Sequence, residues 1–140
     1  MAERQFFTSV RPLLSGILPW AAWLALIFGL SAQSQTSVAP YTSFLTFPHA
    51  DKLLHFSEYA VLGLLTLRML SLIRPNARRQ VFLMLAAFLM CAAAACLDEL
   101  SQRLSPGRSP DAADVLADCI GASVGILMLR LLCSWLPERR

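Results

Sequence analysis

Long apolar runs alternate with short polar stretches along the whole chain. The runs cover residues 13–30, 53–73, 81–97 and 115–136. Each has the length, roughly 17 to 25 residues, that a helix needs to cross a hydrocarbon core of about 30 Å. The first run lacks the polar stripe that a helix of a soluble bundle would show at helical spacing. The pattern therefore predicts an all-α, polytopic membrane protein with four transmembrane helices in a compact bundle.

Composition agrees with this class and excludes several others. The chain has 140 residues, of which 56% are hydrophobic and 15% charged, so we expect one transmembrane domain over residues 1–140. The four cysteines, Cys91, Cys96, Cys119 and Cys133, lie in apolar runs without CxxC spacing, which favours packing over disulfides or zinc. The net charge of +3 is spread over separate helix flanks, so it does not indicate nucleic-acid binding.

Positive charge predicts the orientation in the membrane. Seven arginines precede the first helix, separate the second from the third, or follow the fourth. The other two connections hold only Lys52, Arg103 and Arg108. The positive-inside rule then places both termini in the cytoplasm and predicts a multi-pass membrane protein.

Local signals refine the ends of the predicted helices. The first run follows two arginines as a secretory signal would, but it is longer than an h-region of about 7 to 15 residues, so we expect an uncleaved helix. Pro19 should bend this helix or delay its beginning. Ser109 and Pro110 form a helix-start signal, which predicts a fourth helix over 110–136. Residues 31–50 are expected to lie at the membrane interface, or alternatively to cover a pocket.

Polar side chains concentrate at the helix ends on the predicted outer side. Spacings of four and three residues place Asp51, His55 and Glu58 on one face of the second helix. Similar spacings recur at the end of the third helix and the start of the fourth, in Asp98, Glu99 and Gln102 and in Asp111, Asp114 and Asp118. Three helices should therefore bring acidic residues together.

Acid exceeds base on this side. Seven carboxylates face three cations, Lys52, Arg103 and Arg108. Unpaired buried carboxylates are costly, so some must be protonated, hydrogen-bonded, hydrated or bound to a cationic group. The excess predicts an extracytoplasmic polar pocket. The alternative is a salt-bridge cluster around Arg108 and Lys52 that only orients the helices.

The candidate residues divide by chemistry. His55, Glu58 and Asp98 are candidate acids or bases, and Asp98, Glu99 and Asp114 are candidate ligands of a divalent metal ion. No nucleophile stands out, no cofactor other than such a metal is expected, and whether the protein is an enzyme stays open. The predicted ligand-binding residues are Asp51, Lys52, His55, Asp98, Glu99, Gln102, Arg108, Asp111, Asp114 and Asp118.

Small residues predict close helix packing. Ala117, Gly121 and Gly125 repeat every four residues in the fourth helix, and the third carries alanines at 92–95. We expect these two faces to pack together within one chain, which would bring Asp98 near Asp118. The oligomeric state stays open.

Several short polar motifs follow one another in a fixed order. They are Asp51-Lys52-x-x-His55, Asp98-Glu99-x-x-Gln102, Pro106-Gly107-Arg108 and Asp111-x-x-Asp114, followed by Gly121 and Gly125. Together they resemble the VanZ-like family of small four-span bacterial membrane proteins, over residues 51–125. The family pattern usually has Asn where this chain has Asp118, so a site here would differ in charge.

The resemblance implies a multi-pass protein of the inner, cytoplasmic membrane. It also implies a role at the cell envelope, because the family's namesake is associated with lowered susceptibility to the lipoglycopeptide teicoplanin. The expected function is to bind an envelope lipid, a cell-wall precursor or a glycopeptide in the outer pocket and to modulate antibiotic susceptibility. The alternative is an intramembrane enzyme that acts on an envelope lipid through a His/carboxylate or metal-assisted site. A proton or ion pathway is less favoured, because the cytoplasmic half has no acidic relay.

Overall fold

The computed structural model describes residues 13–33, 49–73, 80–104 and 111–135. Over these ranges it is all-helical and contains no strand. We number the helices α1 (Leu18–Ser31, preceded by a π-helical segment at Leu13–Ile17), α2 (Ala50–Ile73), α3 (Gln80–Gln102) and α4 (Ala112–Trp135). The all-α prediction is confirmed.

Each helix is long and apolar enough to cross a membrane. The candidate spans are Leu14–Ser31, Ala50–Ile73, Gln80–Gln102 and Ala112–Ser134, with 18 to 24 residues each. At 1.5 Å per residue the shortest reaches about 27 Å. Large apolar side chains such as Val81, Phe82 and Leu131 remain exposed on the outer faces. The arginines that predict the orientation of the termini lie mostly outside the described residues, so that orientation stays a prediction.

Several observed helix ends differ from the predicted ones, and α2 begins at Ala50 rather than 53. α3 continues past residue 97 to Gln102, so that Asp98, Glu99 and Gln102 are helical. α4 begins at Ala112 rather than 110, and Asp111 caps it: Oδ1 of Asp111 accepts a hydrogen bond of 2.9 Å from the backbone N–H of Ala113. Ser109 and Pro110 lie outside the described residues.

Pro19 occupies the first turn of α1. A proline is tolerated there, because its missing N–H would have no partner within the helix in any case. The regular helix starts at Leu18, after the π-helical segment, which agrees with the expected delay in its beginning.

Helices α2 and α4 touch through their backbones. A Cβ atom added to Gly121 would lie 2.1 Å from the carbonyl oxygen of Phe56, and one added to Gly125 would lie 1.8 Å from that of Ala60. Only glycine permits such an approach. Residue numbers increase along both helices from the contact of Phe56 with Gly121 to the contact of Ala60 with Gly125, so the two helices run parallel.

The prediction that this glycine face packs against the alanines of α3 is wrong, because the atoms nearest Gly121 and Gly125 belong to α2. The physical reason lies in α2 itself. Its Gly63 opens a matching gap, in which an added Cβ would lie 2.4 Å from the carbonyl oxygen of Ala122. The small residues of α3 fill the core instead, with Cys91 and Ala95 packed beside Tyr59.

Two indole groups join α1 to α2. Nε1–H of Trp20 donates to Oγ1 of Thr66 at 3.0 Å, and Nε1–H of Trp23 donates to the backbone oxygen of Glu58 at 2.9 Å. These bonds give each indole N–H group an acceptor, which the hydrocarbon of a membrane could not provide. They hold α1 against the rest of the bundle.

The glycine contact generates a stability prediction. Gly125→Ala should lower the unfolding temperature, because the new methyl group collides with backbone atoms; overpacking of this kind typically costs about 1 to 3 kcal/mol. Gly29→Ala is the matched control, since its added Cβ meets nothing within 4 Å. Thermal unfolding of the purified protein in detergent measures both. Equal unfolding temperatures for the two variants would contradict the close approach.

Candidate functional site

Polar residues from all four helices meet at one end of the bundle. The C-terminal ends of α1 and α3 and the N-terminal ends of α2 and α4 contribute them, because successive helices alternate in direction. Hydrogen bonds and ion pairs join residues from different helices there. We call this group the polar end cluster; it comprises Ser31, Lys52, His55, Asp98, Glu99, Gln102, Asp111, Asp114 and Asp118.

Lys52 links α2 to the start of α4. Its Nζ lies 2.7 Å from Oδ1 of Asp114 and 2.8 Å from Oδ2 of Asp111. A third carboxylate, Asp51, is 3.3 Å away but largely exposed. The hydrogen bond from Lys52 holds the pKa of the Asp111 carboxyl below its ordinary value. Lys52 is therefore a hub of the cluster, as the salt-bridge alternative expects.

His55 lies between two carboxylates of α4, one turn deeper than Lys52. Its Nδ1 is 3.1 Å from Oδ1 of Asp118, and its Nε2 is 3.9 Å from Oδ2 of Asp114. Asp118 is only 1% exposed. The carboxylate of Asp118 orients the imidazole ring when Nδ1 carries a proton, and it leaves Nε2 directed toward Asp114.

The end of α3 is tied to α1 and to α4. Oγ of Ser31 donates to Oδ2 of Asp98 at 2.9 Å. The backbone N–H of Asp111 donates to Oε1 of Glu99. A carboxylate of α3 thus accepts a hydrogen bond at the N-terminal cap of α4, where the helix dipole favours negative charge. These contacts fix the distance between the two helix ends.

Several buried polar atoms in the cluster have spare bonding capacity. Asp98, Glu99, Asp114 and Asp118 are each at most 8% exposed. Within the described ranges, Oε2 of Glu99, Oδ2 of Asp118 and Nε2 of Gln102 have no hydrogen-bond partner. Leaving such a group unsatisfied typically costs about 1 to 3 kcal/mol. These three buried atoms thus have unused hydrogen-bonding capacity in the described structure.

A sequence model of the VanZ/LLP1 family matches residues 6–133, nearly the whole chain. The chain belongs to the VanZ-like family. No curated protein and no solved structure matches it. Family membership and the four long apolar helices together fit a multi-pass membrane protein.

The structure brings most of the predicted site residues of this VanZ-like protein together. Asp51 lies at the exposed rim, and within the described ranges it forms an ion pair only with its neighbour Lys52. Glu58 is half-buried and lies one turn beyond His55 along α2, where its backbone oxygen accepts the hydrogen bond from Trp23. Arg108, the other predicted hub, lies outside the described residues.

Sequence reasoning missed Ser31. It ends α1 and is 6% exposed, and its hydroxyl contacts Asp98. The signal was a hydroxyl residue at the outer end of an apolar run, level with the acids of the other helices. A hydroxyl in that position has to find a partner within the bundle.

The enzymatic and metal hypotheses gain little from the geometry. Among the described residues, no group of three or more His, Cys, Asp or Glu side chains is placed to hold a metal ion, and the metal site at Asp98, Glu99 and Asp114 stays a prediction. Ser57 and Ser101 donate to backbone oxygens of their own helices at 2.7 Å, as helical serines commonly do.

A half-open cavity toward this end is apolar and not acidic. It has a volume of about 290 Å³ and lies between α1, α2 and α3. Its lining residues are almost all apolar, and none belongs to the polar end cluster. The predicted acidic pocket is thus represented by a packed group of polar side chains next to an apolar cavity.

The Lys52 contacts can be tested with a double-mutant cycle. Lys52→Met and Asp114→Asn should be coupled in unfolding free energy by about 0.5 to 3 kcal/mol, because the two groups form a short, partly buried ion pair. The pair Lys52→Met and Asp51→Asn is the control. Its coupling should be smaller, because Asp51 is exposed and further away. Denaturant unfolding in detergent gives both values, and equal coupling would contradict the assigned hub geometry.

Proposed function

We propose that this VanZ-like protein is an envelope membrane protein whose polar end cluster binds the polar headgroup of an amphiphile. The amphiphile is a membrane lipid, a lipid-linked cell-wall precursor or a lipoglycopeptide, and its capture modulates antibiotic susceptibility. The observation that carries the proposal is a pair of buried carboxylates, Glu99 of α3 and Asp118 of α4, each of which has one oxygen without a hydrogen-bond partner within the described residues.

The charge of the cluster favours a headgroup that carries a protonated amine. Four buried carboxylates share the polar end cluster with two basic side chains, Lys52 and His55, and Lys52 is already shared between Asp111 and Asp114. An ammonium group can donate up to three hydrogen bonds, which suits the free oxygens of Glu99 and Asp118. Charge-assisted bonds of this kind are stronger than neutral ones in a poorly hydrated site.

The position of the cluster suits such a ligand. It lies at the level where the candidate spans end, which is where lipid headgroups and membrane-anchored precursors are found. We place this end on the extracytoplasmic side on the basis of the arginine distribution. Arg108, three residues before Asp111 in the sequence, is the candidate partner for an anionic group of the ligand.

Neutralising the free carboxylates should weaken binding. Glu99→Gln and Asp118→Asn keep shape and remove charge, so each should lower the affinity for phosphatidylethanolamine, a lipid-linked cell-wall precursor or teicoplanin by about tenfold or more, equivalent to roughly 1.4 kcal/mol. Asp51→Asn, at the exposed rim, should leave binding unchanged. Native mass spectrometry of the purified full chain measures these affinities, and susceptibility assays on expressing cells supply a second readout.

The proposal fails if every one of these amphiphiles binds the two buried-site variants as well as it binds the Asp51→Asn control. The variants must be folded for this comparison. Asn is the residue that the VanZ-like pattern usually carries at position 118, which favours folding of Asp118→Asn. Unfolding temperatures establish this before affinities are compared.

A second candidate function is an intramembrane enzyme, and one observation favours it. The short contact between His55 and Asp118 has the form of a base held by a carboxylate. In this version Nε2 of His55 would exchange a proton with an envelope lipid.

The enzyme hypothesis makes its own prediction. Wild-type protein should turn over a polyprenyl or glycerophospholipid substrate, and His55→Gln should reduce the rate by at least about a hundredfold, the usual contribution of a general acid or base. Product analysis by mass spectrometry detects the reaction. Binding without any turnover across the panel would leave only the first function.

A further inference from the structure

An apolar groove runs along the bundle beside the polar end cluster. It is the cavity of about 290 Å³ described above, bounded by side chains of α1, α2 and α3. A cavity of about 150 Å³ is enough to hold benzene, so this one is large enough for several carbon atoms of a chain. An empty apolar cavity forfeits dispersion contacts on its open side, and a hydrocarbon occupant restores them.

The inner wall of the groove is kept apolar by an internal hydrogen-bond chain. Trp20 donates to Thr66 at 3.0 Å, and Oγ1 of Thr66 donates to the backbone oxygen of Leu62 at 2.7 Å. All three residues line the groove. Because their polar atoms bond to one another, they present carbon atoms to an occupant.

One end of the groove lies close to the polar end cluster. Leu97 lines it and directly precedes Asp98, and Phe28 lines it one turn before Ser31. Oγ of Ser31 and Oδ2 of Asp98 are hydrogen-bonded to each other at 2.9 Å. One helical turn is about 5.4 Å, so groove and cluster are separated by no more than a few ångströms along the helix axes.

The groove opens sideways, toward the surface that lipid would cover. Leu97 is 59% exposed and Met90 38%, and both lie within the candidate span of α3. At this depth the surrounding medium is hydrocarbon and not water. A chain can therefore enter from the side, without leaving the apolar phase.

We infer that this groove holds one hydrocarbon chain of the amphiphile whose headgroup binds the polar end cluster. The inference rests on the proposed function and extends it, because it assigns the ligand a long lipid chain as a second, separate recognition element. The short distance along α1 and α3 from the groove to Ser31 and Asp98 is what selects this occupant over a helix of another protein. By contacting both the headgroup and the hydrocarbon chain, the protein would distinguish this ligand from water-soluble molecules that carry the same headgroup.

The test fills the groove and compares chain lengths. Ala93→Phe places a ring in the groove from its exposed side, and Ala22→Phe, on an exposed position of α1 that does not line the groove, is the matched control. The probes are dipalmitoyl and dihexanoyl phosphatidylethanolamine, measured by native mass spectrometry on the full chain. Ala93→Phe should weaken binding of the long-chain probe at least tenfold and leave the short-chain probe unchanged, and the control should change neither.

The outcomes separate this inference from the function beneath it. If Asp118→Asn weakens both probes but Ala93→Phe alters neither, or alters both equally, the groove inference is overturned and headgroup binding stands. If neither probe binds the wild type, the proposed function fails for this ligand, and the inference fails with it.

A second measurement needs no variant. Dipalmitoyl phosphatidylethanolamine with a diazirine in one chain should cross-link the wild-type protein at Met90, Ala93 or Leu97. Unlabelled phosphatidylethanolamine should compete better than phosphatidylglycerol with the same chains. Equal competition would show a bulk lipid chain only and would overturn the inference, as would cross-links confined to other faces.

Discussion

The backbone contact between α2 and α4 determines the geometry of everything at the polar end. Gly121 against Phe56 and Gly125 against Ala60 fix both the separation and the register of two parallel helices. His55 directly precedes Phe56 and Asp118 lies one turn before Gly121, so the same contact brings Asp118 beside His55, and one turn further toward the N-termini it brings Asp114 beside Lys52. A larger residue at either glycine would separate the helices, and the hydrogen-bond distances of 2.7 to 3.1 Å in these pairs would be lost.

Much of this arrangement was predictable from the sequence. The two exceptions concern which helix packs against the glycines of α4 and where α3 ends. Steps of three and four residues place the acids of each helix on one face, and alternating helix directions bring those faces to one end, so the convergence of Lys52, His55, Asp114 and Asp118 was predictable. A stripe of small residues reveals that a helix packs closely but not which neighbour it meets, so α3 was expected where α2 is found. The end of the apolar run likewise predicted that α3 ends at residue 97, although the helix continues through Asp98 and Glu99 to Gln102.

The contacts of the cluster show where a purely structural role is sufficient and where it is not. Lys52 with Asp111 and Asp114 ties α2 to α4, and Glu99 with the backbone of Asp111 ties α3 to α4. In these bonds Asp111 and Asp114 each accept from Lys52, and Oε1 of Glu99 accepts from the backbone N–H of Asp111. They do not use Oε2 of Glu99, Oδ2 of Asp118 or Nε2 of Gln102, which are buried among the described residues without partners. A clamp alone would be more stable with apolar residues at these positions, because buried ion pairs seldom exceed the stability of well-packed hydrocarbon.

The cluster and the groove make opposite demands on their surroundings, and the bundle meets both by dividing its helix faces. α4 offers glycines to α2 and acids to the headgroup level, whereas α1 and α3 offer aromatic and aliphatic side chains around Trp20 and Leu97. The hydrogen bond between Ser31 and Asp98 stands at the boundary between the two. The amphiphile proposed above suits this division, because its charged head would meet the polar side chains and its hydrocarbon chain the apolar ones, so neither part would be buried in an unsuitable environment.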